Sequence, residues 1–253
     1  MTKLFLYIGI GTPFLAWAGE STDVYTKLNQ FRSKAYSSLE TLYNTYEISR
    51  ECIENNIPGD FVECGVAAGS QIAAMAYACQ NCQVNRPIHL FDSFEGIPLA
   101  GPDDDAQPGI GKIPHNTHVM DLNELLVSSG VSVHSLEEVQ ANMAHWGINP
   151  ENLLYYKGWF QNTVPAQADI IESICFLRLD GDLYESTKVC LEYLYPKISK
   201  GGYIVIDDYQ SLTGCRKAVD EYLAEHHIKP DMKQVNGLVS PYTFANPVYW
   251  QIQ

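Results

Sequence analysis

The sequence contains few basic residues: 16 Lys and Arg stand against 30 Asp and Glu, and the formal net charge is −14. No run of Lys or Arg occurs along the chain. Because proteins bind nucleic acids largely through Lys and Arg contacts to phosphate, this deficit argues against a nucleic-acid partner. With 46% hydrophobic and 18% charged residues, the composition is nevertheless that of a folded domain.

The seven cysteines lack the spacing of a structural zinc site. Cys79 and Cys82 have CxxC spacing, but no second pair completes a tetrahedral ligand set. Because their number is odd, the cysteines cannot all pair within the chain. We predict reduced cysteines that mostly serve as packing residues, which fits a reducing compartment such as the cytoplasm.

An apolar run near the start of the chain leaves its localisation open. Residues 4–18 are largely apolar, follow Lys3 and end in Ala16-Trp17-Ala18, which resembles a signal-peptide cleavage site. The run is short for a transmembrane helix, and glycine and proline interrupt it, so we expect no integral membrane span. Residues 1–18 are therefore either a signal peptide for export or a cytoplasmic segment that docks on the body or on a second subunit.

Apolar spacing and turn residues predict one α/β domain over residues 58–253, preceded by an N-terminal segment over residues 1–57. An apolar stripe at helical spacing predicts that residues 22–57 are helical, and Pro58-Gly59 is expected to end this helical region. A strand, a small-residue turn, a helix and a second strand then open a doubly wound sheet. The predicted strands are 60–66, 87–92, 153–157, 174–180, 203–207 and 248–252, and the predicted helices that follow the first strand are 70–82, 184–198 and 214–227. We therefore predict a single Rossmann-like, mostly parallel sheet with an N-terminal helical extension.

Residues 97–150 contain no clear strand, and we predict that they form a lid insertion over a bound substrate. Residues 121–129 and 135–146 are expected to be helical. His115 and His118 are candidate bases in this lid, although loop histidines are more often solvated. Asp103-Asp104-Asp105 is expected to be a solvated loop rather than a second metal site.

A glycine-containing turn, Glu63-Cys-Gly65-Val-Ala-Ala-Gly69-Ser70, joins the first strand to the first helix. Its glycines allow the backbone to approach a ligand closely, and Ser70 is a candidate N-cap. The turn lacks the GxGxxG spacing that brings pyrophosphate to a helix N-terminus. The carboxylate of Glu63 would repel pyrophosphate but could accept hydrogen bonds from an ammonium group. The alternative is an ordinary strand-to-helix turn without a ligand.

Asp92 ends the second predicted strand and is followed by Ser93. In nucleotide-binding sheets, an acidic residue at this position accepts hydrogen bonds from ribose hydroxyls. We therefore expect Asp92 to bind a ribose, with a turn cap as the alternative.

Acidic side chains end two predicted strands that should be neighbours. Asp180 follows one strand, and Asp207 and Asp208 end the next. These carboxylates should meet at the carboxyl edge of the sheet, where ligands bind, and their mutual repulsion raises pKa values unless a cation relieves it. A hard cation such as Mg²⁺, Mn²⁺ or Ca²⁺ would suit them and could lower the pKa of a substrate hydroxyl. The alternative is that these acids cap helices or face solvent.

Over roughly residues 40–230, the chain resembles the macrocin O-methyltransferase family. The resemblance rests on a set of ordered motifs: Phe61-Val-Glu-Cys-Gly-Val66, Leu90-Phe-Asp-Ser-Phe-Glu-Gly96, Lys157-Gly-Trp-Phe160, Leu177-Arg-Leu-Asp-Gly-Asp-Leu-Tyr-Glu-Ser-Thr187 and Gly201-Gly-Tyr-Ile-Val-Ile-Asp-Asp-Tyr209. Members methylate sugar hydroxyls on natural products with S-adenosylmethionine and Mg²⁺. The resemblance thus implies a small-molecule acceptor, and we expect a homo-oligomer.

The resemblance also implies roles for individual residues. The methionine end of the cofactor would be lined by Glu63, Gly65, Gly69 and Ser70, its ribose would be held by Asp92 with Ser93, and its adenine would lie near Trp159 or Phe160. The metal would be bound by Asp180, Asp207 and Asp208. Asp180 would also take the proton of the acceptor hydroxyl.

Three alternatives remain at this point. A metal-dependent glycosyltransferase could use Asp180-Gly-Asp182 as a DxD pair, but it leaves the Glu63–Ser70 turn and the pair Asp207 and Asp208 without a role. A nicotinamide oxidoreductase is disfavoured because GxGxxG is absent. A non-catalytic protein could retain the fold and bind the cofactor without methyl transfer.

Overall fold

The structure is a computed structural model that describes residues 22–104, 126–235 and 247–253. The possible signal peptide at 1–18 and the candidate bases His115 and His118 lie outside these ranges. Among the helices within them, none combines the length and the apolar character that a membrane span requires.

A seven-stranded sheet lies at the centre of the described fold. Its strands are β1 (Asp60–Cys64), β2 (Ile88–Asp92), β3 (Leu153–Lys157), β4 (Ile174–Leu179), β5 (Ile198–Ile206), β6 (Lys233–Gln234) and β7 (Val248–Gln251). They are ordered β3-β2-β1-β4-β5-β7-β6; β1 to β5 are parallel, and β7 pairs antiparallel with both β5 and β6. The predicted Rossmann-like, mostly parallel sheet is therefore confirmed.

Helices cover both faces of the sheet because side chains alternate along the strands. Phe61 faces a core formed with helices α1 to α4, whereas the adjacent Val62 faces a core formed with α5 to α7. The helices are α1 (Thr22–Arg32), α2 (Leu39–Glu54), α3 (Ser70–Cys82), α4 (Leu136–His145), α5 (Phe160–Gln167), α6 (Tyr184–Leu194) and α7 (Thr213–Glu225). Strands that are buried on both faces are mostly apolar, which explains their long apolar runs in the sequence; Glu63 in β1, His89 in β2 and Arg178 in β4 are the buried polar exceptions.

The N-terminal region over 22–57 is largely helical, as predicted, but it contains a break whose place the sequence did not indicate. It consists of α1 and α2, joined by a loop over residues 33–38. Ser38 ends the loop because its Oγ accepts a hydrogen bond from the backbone N–H of Thr41, at 3.2 Å, and so caps α2. The apolar stripe continues on both sides of the break, and spacing alone therefore did not reveal it.

Two smaller expectations about secondary structure were wrong, and one short strand was missed. Strand β5 begins at Ile198, so Gly201-Gly202 lies inside the strand and does not form the preceding turn. Residues 126–129, the described part of the predicted helix 121–129, are not helical, and Ser128 instead forms a bridge with Pro98. The two-residue strand β6 was not predicted because it is too short to carry an alternating pattern.

Ser70 is not the N-cap of α3, as the sequence had indicated. Gly69 occupies that position in a left-handed conformation with φ of +92°, and Ser70 is the first helical residue. The hydroxyl of Ser70 donates instead to the carbonyl oxygen of Phe31, at 3.0 Å, and so ties α3 to α1. The left-handed φ favours glycine at position 69, whereas a Cβ there would only require the flexible end of the Met143 side chain to shift.

Asp104 is not part of a solvated loop. Its side chain is buried and accepts the backbone N–H of Tyr184 at 2.7 Å and that of Gly101 at 2.9 Å. Asp104 therefore caps the N-terminus of α6 from a distant part of the chain. Asp103 is exposed and pairs with Lys217, and Asp105 lies outside the described residues.

All seven cysteines are free, and Cys82 alone among them is not buried. This agrees with their predicted role as reduced packing residues.

Gly65, directly after β1, is required by the close approach of two strand ends. Its φ is +91°, and a Cβ there would overlap the backbone carbonyl oxygen of Asp180. Gly130 offers a matched control because its φ is +78° and a Cβ added to it would have no neighbouring atom within 4 Å.

We expect Gly65→Ala to lower the thermal midpoint of unfolding much more than Gly130→Ala. The control incurs only the left-handed conformation, about 1–2 kcal/mol. Gly65→Ala adds an overlap with backbone atoms, for which overpacking suggests roughly 1–3 kcal/mol more. Equal shifts of the two midpoints in a thermal melt would show that the strand ends can move apart freely.

Candidate functional site

A cavity of about 410 Å³ lies at the carboxyl ends of β1, β2, β4 and β5. Of the residues predicted from the sequence to bind ligand or metal, all except Gly69 line it: Glu63, Gly65, Ser70, Asp92, Ser93, Trp159, Phe160, Asp180, Asp207 and Asp208. Its position is the one expected for a ligand in an open parallel sheet, where loops at the strand ends form a crevice.

The guanidinium of Arg178 links three acidic side chains that line this cavity. Arg178 is fully buried in β4, and its Nη1 donates to Glu63 Oε1 at 2.9 Å and to Asp180 Oδ2 at 2.8 Å. Its Nη2 donates to Asp207 Oδ1. One cationic side chain thus holds carboxylates from the ends of three neighbouring strands, β1, β4 and β5.

Asp180, Asp207 and Asp208 converge as the sequence predicted. One carboxylate oxygen from each lies within 4.8 Å of the others. The backbone fixes this arrangement, because the N–H of Asp180 donates to Cys64 O at 2.8 Å and that of Asp207 donates to Leu179 O at 2.9 Å. These bonds extend the parallel ladder by one residue past each strand, which places the acids at the same edge.

Burial dominates the electrostatics of the cluster. It raises the pKa of Asp207 to about 7, with a further contribution from Asp180 and an opposing one from Arg178. It also raises the pKa of Asp208 well above its ordinary value, with Asp182 as the next cause. Burial alone would lower the pKa of Arg178, but the carboxylates of Asp207, Asp180 and Glu63 outweigh it and raise that pKa.

Arg178 carries one positive charge and contacts three carboxylates, with that of Asp208 nearby, so it can compensate the acidic charge only in part. A divalent cation bound by oxygen ligands would relieve the rest, and the clustered oxygens of Asp180, Asp207 and Asp208 are the hard donors that Mg²⁺ and Mn²⁺ prefer. The residues present therefore fit such a cation.

Glu63 has one carboxylate oxygen engaged and one without a protein partner. Oε1 accepts from Arg178, whereas the buried Oε2 has no hydrogen-bond partner. Burial raises the pKa of Glu63 to about 8, against the lowering effect of Arg178. Since the side chain lines the cavity, this oxygen is available to a ligand that donates a hydrogen bond.

Asp92 lines the cavity but is already engaged by the backbone. Its Oδ2 accepts the N–H groups of Val66 at 2.7 Å and Ala67 at 3.2 Å, and its Oδ1 accepts that of Phe94 at 2.6 Å. Asp92 thus clamps the turn after β1 to the loop after β2. Ser93 forms a local turn, accepting from Glu95 N–H at 3.0 Å and donating to Gly96 O at 2.8 Å.

Trp159 and Phe160 lie on the β3 side of the cavity, at the start of α5. The opposite wall contains residues that sequence reasoning missed, in the loop over residues 33–38 and at Gln71 on α3. Arg178 was also missed, although a charged residue inside an apolar strand was a usable signal. The sequence of the loop over residues 33–38 did not indicate that it lines the cavity, because its position depends on how α1 and α2 pack.

Comparisons with known proteins give a consistent result. A sequence model of the Macrocin-O-methyltransferase family matches residues 35–243. The demethyldecarbamoylnovobiocin O-methyltransferase of Streptomyces niveus is 35% identical over 207 residues, which cover 80% of this chain and 71% of the relative. The 8-demethyl-8-(2,3-dimethoxy-alpha-L-rhamnosyl)-tetracenomycin-C 4′-O-methyltransferase of Streptomyces olivaceus is 34% identical, over 79% of this chain and 71% of the relative.

A solved structure resembles most of the chain. The O-methyltransferase NovP superimposes with a TM-score of 0.69 at 32% sequence identity, covering 90% of this chain and 88% of NovP.

The pKa values of the cluster predict how stability without ligands varies with pH. Glu63 and Asp207, with pKa values of about 8 and about 7, bind protons more tightly in the folded state than in the unfolded state. Their contribution to stability is therefore fully present at acidic pH below their unfolded values, about 4, and is lost as pH rises to about 8.

We expect the thermal midpoint of the ligand-free wild type to fall more between pH 6 and pH 9 than that of Glu63→Gln. Glutamine keeps an oxygen for Arg178 but cannot ionise, so the part of the slope due to Glu63 disappears. Scanning calorimetry at both pH values measures this difference. Parallel slopes for the two proteins would contradict the raised pKa of Glu63.

Proposed function

Because the chain belongs to the macrocin O-methyltransferase family, whose members are S-adenosylmethionine-dependent enzymes, we propose that it methylates a sugar or other natural-product hydroxyl with the help of a divalent cation. Membership of the family makes the chain an O-methyltransferase. The relative named for 4′-O-methylation of a rhamnosyl tetracenomycin supports a sugar hydroxyl as the acceptor. Mg²⁺ is the proposed cation.

The observation that carries the metal proposal is the convergence of Asp180, Asp207 and Asp208 on one point of the cavity floor. These residues would hold the cation, which supplies a Lewis acid that lowers the pKa of a hydroxyl group. Arg178 keeps Asp180 and Asp207 in place whether or not a cation is bound, since it contacts both.

The cofactor supplies an electrophilic methyl group on a sulfonium. Glu63 would accept hydrogen bonds from its ammonium group, and Asp92 and Ser93 would lie near its ribose, with Trp159 or Phe160 near its adenine. Gly65, Gly69 and Ser70 shape the turn that faces the methionine end. The Asp92 carboxylate retains lone pairs beyond those used by the backbone, so a ribose hydroxyl can still bind to it.

Asp180 would take the proton of the acceptor hydroxyl as the oxygen attacks the methyl carbon. Methyl transfer to the hydroxyl oxygen would leave the cofactor as the neutral thioether S-adenosylhomocysteine, and the proton of the hydroxyl would remain on Asp180. Most of the acceleration would come from alignment of the two reactants, for which roughly 7–11 kcal/mol is available in favourable cases. The insertion at 97–150 would exclude water as a lid.

Family membership removes two of the sequence-based alternatives, the glycosyltransferase and the nicotinamide oxidoreductase. Asp182, the second acid of the supposed DxD pair, belongs to the same cluster, where its backbone N–H donates to Asp208 Oδ2 at 3.1 Å. We further propose a cytoplasmic location, which the free cysteines support, and a homo-oligomeric state.

The role of Asp180 can be tested with Asp180→Asn. We expect this variant to bind S-adenosylmethionine within about twofold of the wild type, because Asn still accepts from Arg178, and to lose transfer to any acceptor that the wild type methylates. Calorimetry measures binding, and mass spectrometry of the acceptor measures transfer. Full activity in the variant would refute the role of Asp180 as the base.

Cation binding can be tested separately with Asp208→Asn. Asn keeps an oxygen for the backbone N–H of Asp182 but removes one negative charge, so we expect Mg²⁺ to bind about tenfold more weakly. Asp103→Asn is the matched control, because Asp103 is an exposed acid that pairs with Lys217 outside the cluster. In calorimetric titrations, the affinity of Asp103→Asn for Mg²⁺ should equal that of the wild type. An equal loss of Mg²⁺ affinity in both variants would exclude a cation site at Asp208.

A further inference from the structure

Two buried acceptor atoms in the cavity have no hydrogen-bond partner. They are Glu63 Oε2 and Gln71 Oε1, on side chains that belong to residues only 1% and 6% exposed. Both residues line the same cavity. An unsatisfied buried acceptor is rare in native proteins and costs stability, so two in one cavity indicate a ligand that donates hydrogen bonds.

Gln71 is held in place from the N-terminal side. It is the second residue of α3, and its Nε2 donates to Ser37 Oγ at 2.7 Å. Ser37 lies in the loop over residues 33–38, which forms one wall of the cavity. The contact fixes the amide and leaves Oε1 as the free atom.

The chemistry of these atoms identifies the group that they accept from. A protonated amine offers three N–H donors and a positive charge, which suits one carboxylate oxygen and one amide oxygen. We propose that Gln71 is a further cofactor-binding residue, which together with Glu63 holds the α-ammonium group of the methionine moiety. This inference rests on the cofactor assignment of the proposed function and deepens it.

The proposal makes the loop between α1 and α2 part of the cofactor site. Ser37 orients Gln71, and Ser70 next to it is tied to α1 through Phe31 O. The helices before the first strand therefore contribute to recognition of the amino-acid end of the cofactor, which no motif in the sequence indicated.

The test compares two nucleosides that differ in the amino-acid end. S-adenosylhomocysteine carries that end, and 5′-deoxy-5′-methylthioadenosine lacks it. By calorimetry on the full chain, we expect Gln71→Leu to bind S-adenosylhomocysteine about tenfold more weakly, as for a lost hydrogen bond to a charged group. Binding of methylthioadenosine should stay within about twofold, which also shows that the variant is folded.

Gln71→Glu distinguishes an acceptor from a donor at this position. A carboxylate also accepts from an ammonium group, so this variant should bind S-adenosylhomocysteine at least as tightly as the wild type. Weaker binding than Gln71→Leu would mean that the amide N–H faces the cofactor carboxylate, and it would overturn the proposal.

Gln80→Leu is the matched control, because Gln80 is an exposed glutamine on the same helix that donates to Gly147 O at 3.1 Å. It should change neither affinity. Equal losses for both nucleosides in Gln71→Leu would also overturn the proposal. Failure of the wild type to bind either nucleoside would instead refute the cofactor assignment itself.

Discussion

The candidate site depends on one buried guanidinium. Arg178 lies in the middle of the sheet, where an isolated charge would be strongly destabilising, and its contacts with Glu63, Asp180 and Asp207 offset that cost. In turn, the positive charge of Arg178 reduces the repulsion between the carboxylates at these adjacent strand ends. Because three carboxylates share this one guanidinium, a cation bound beside them would favour their ionised forms.

Much of the fold and of the site could be predicted because both follow from parallel strands. Asp180 and Asp207 each come one residue after a strand, and strands in register bring such residues to one edge. The same reasoning placed Glu63 and Asp92 beside the cavity. Arg178 was harder to recognise, since its partners lie on two other strands and the sequence shows only a charge between apolar neighbours. The wall that contains Ser37 was hidden because spacing does not show where α1 ends and α2 begins.

Gly65 and Asp92 line the cavity, as predicted, but the contacts that they make in the structure were not foreseen. Gly65 was expected to make room for a ligand, but the carbonyl of Asp180 already occupies the space that a Cβ would need. Asp92 was expected to bind a ribose, and the contacts that the structure shows join two loops through backbone N–H groups. A residue type at a strand end therefore predicts position well, whereas the other partners of the side chain depend on loops whose path the sequence does not reveal.

The distance along the chain between Glu63 and Arg178 has a consequence for how the protein folds. The two residues are 115 positions apart, and the strands that carry them, β1 and β4, are adjacent at the centre of the sheet. Closing so long a loop must precede any contact that rewards it, which makes folding of such topologies slow. Because the pocket needs both strands in place, we expect it to form late in folding. A cofactor that binds only the finished pocket thus slows unfolding but cannot nucleate folding.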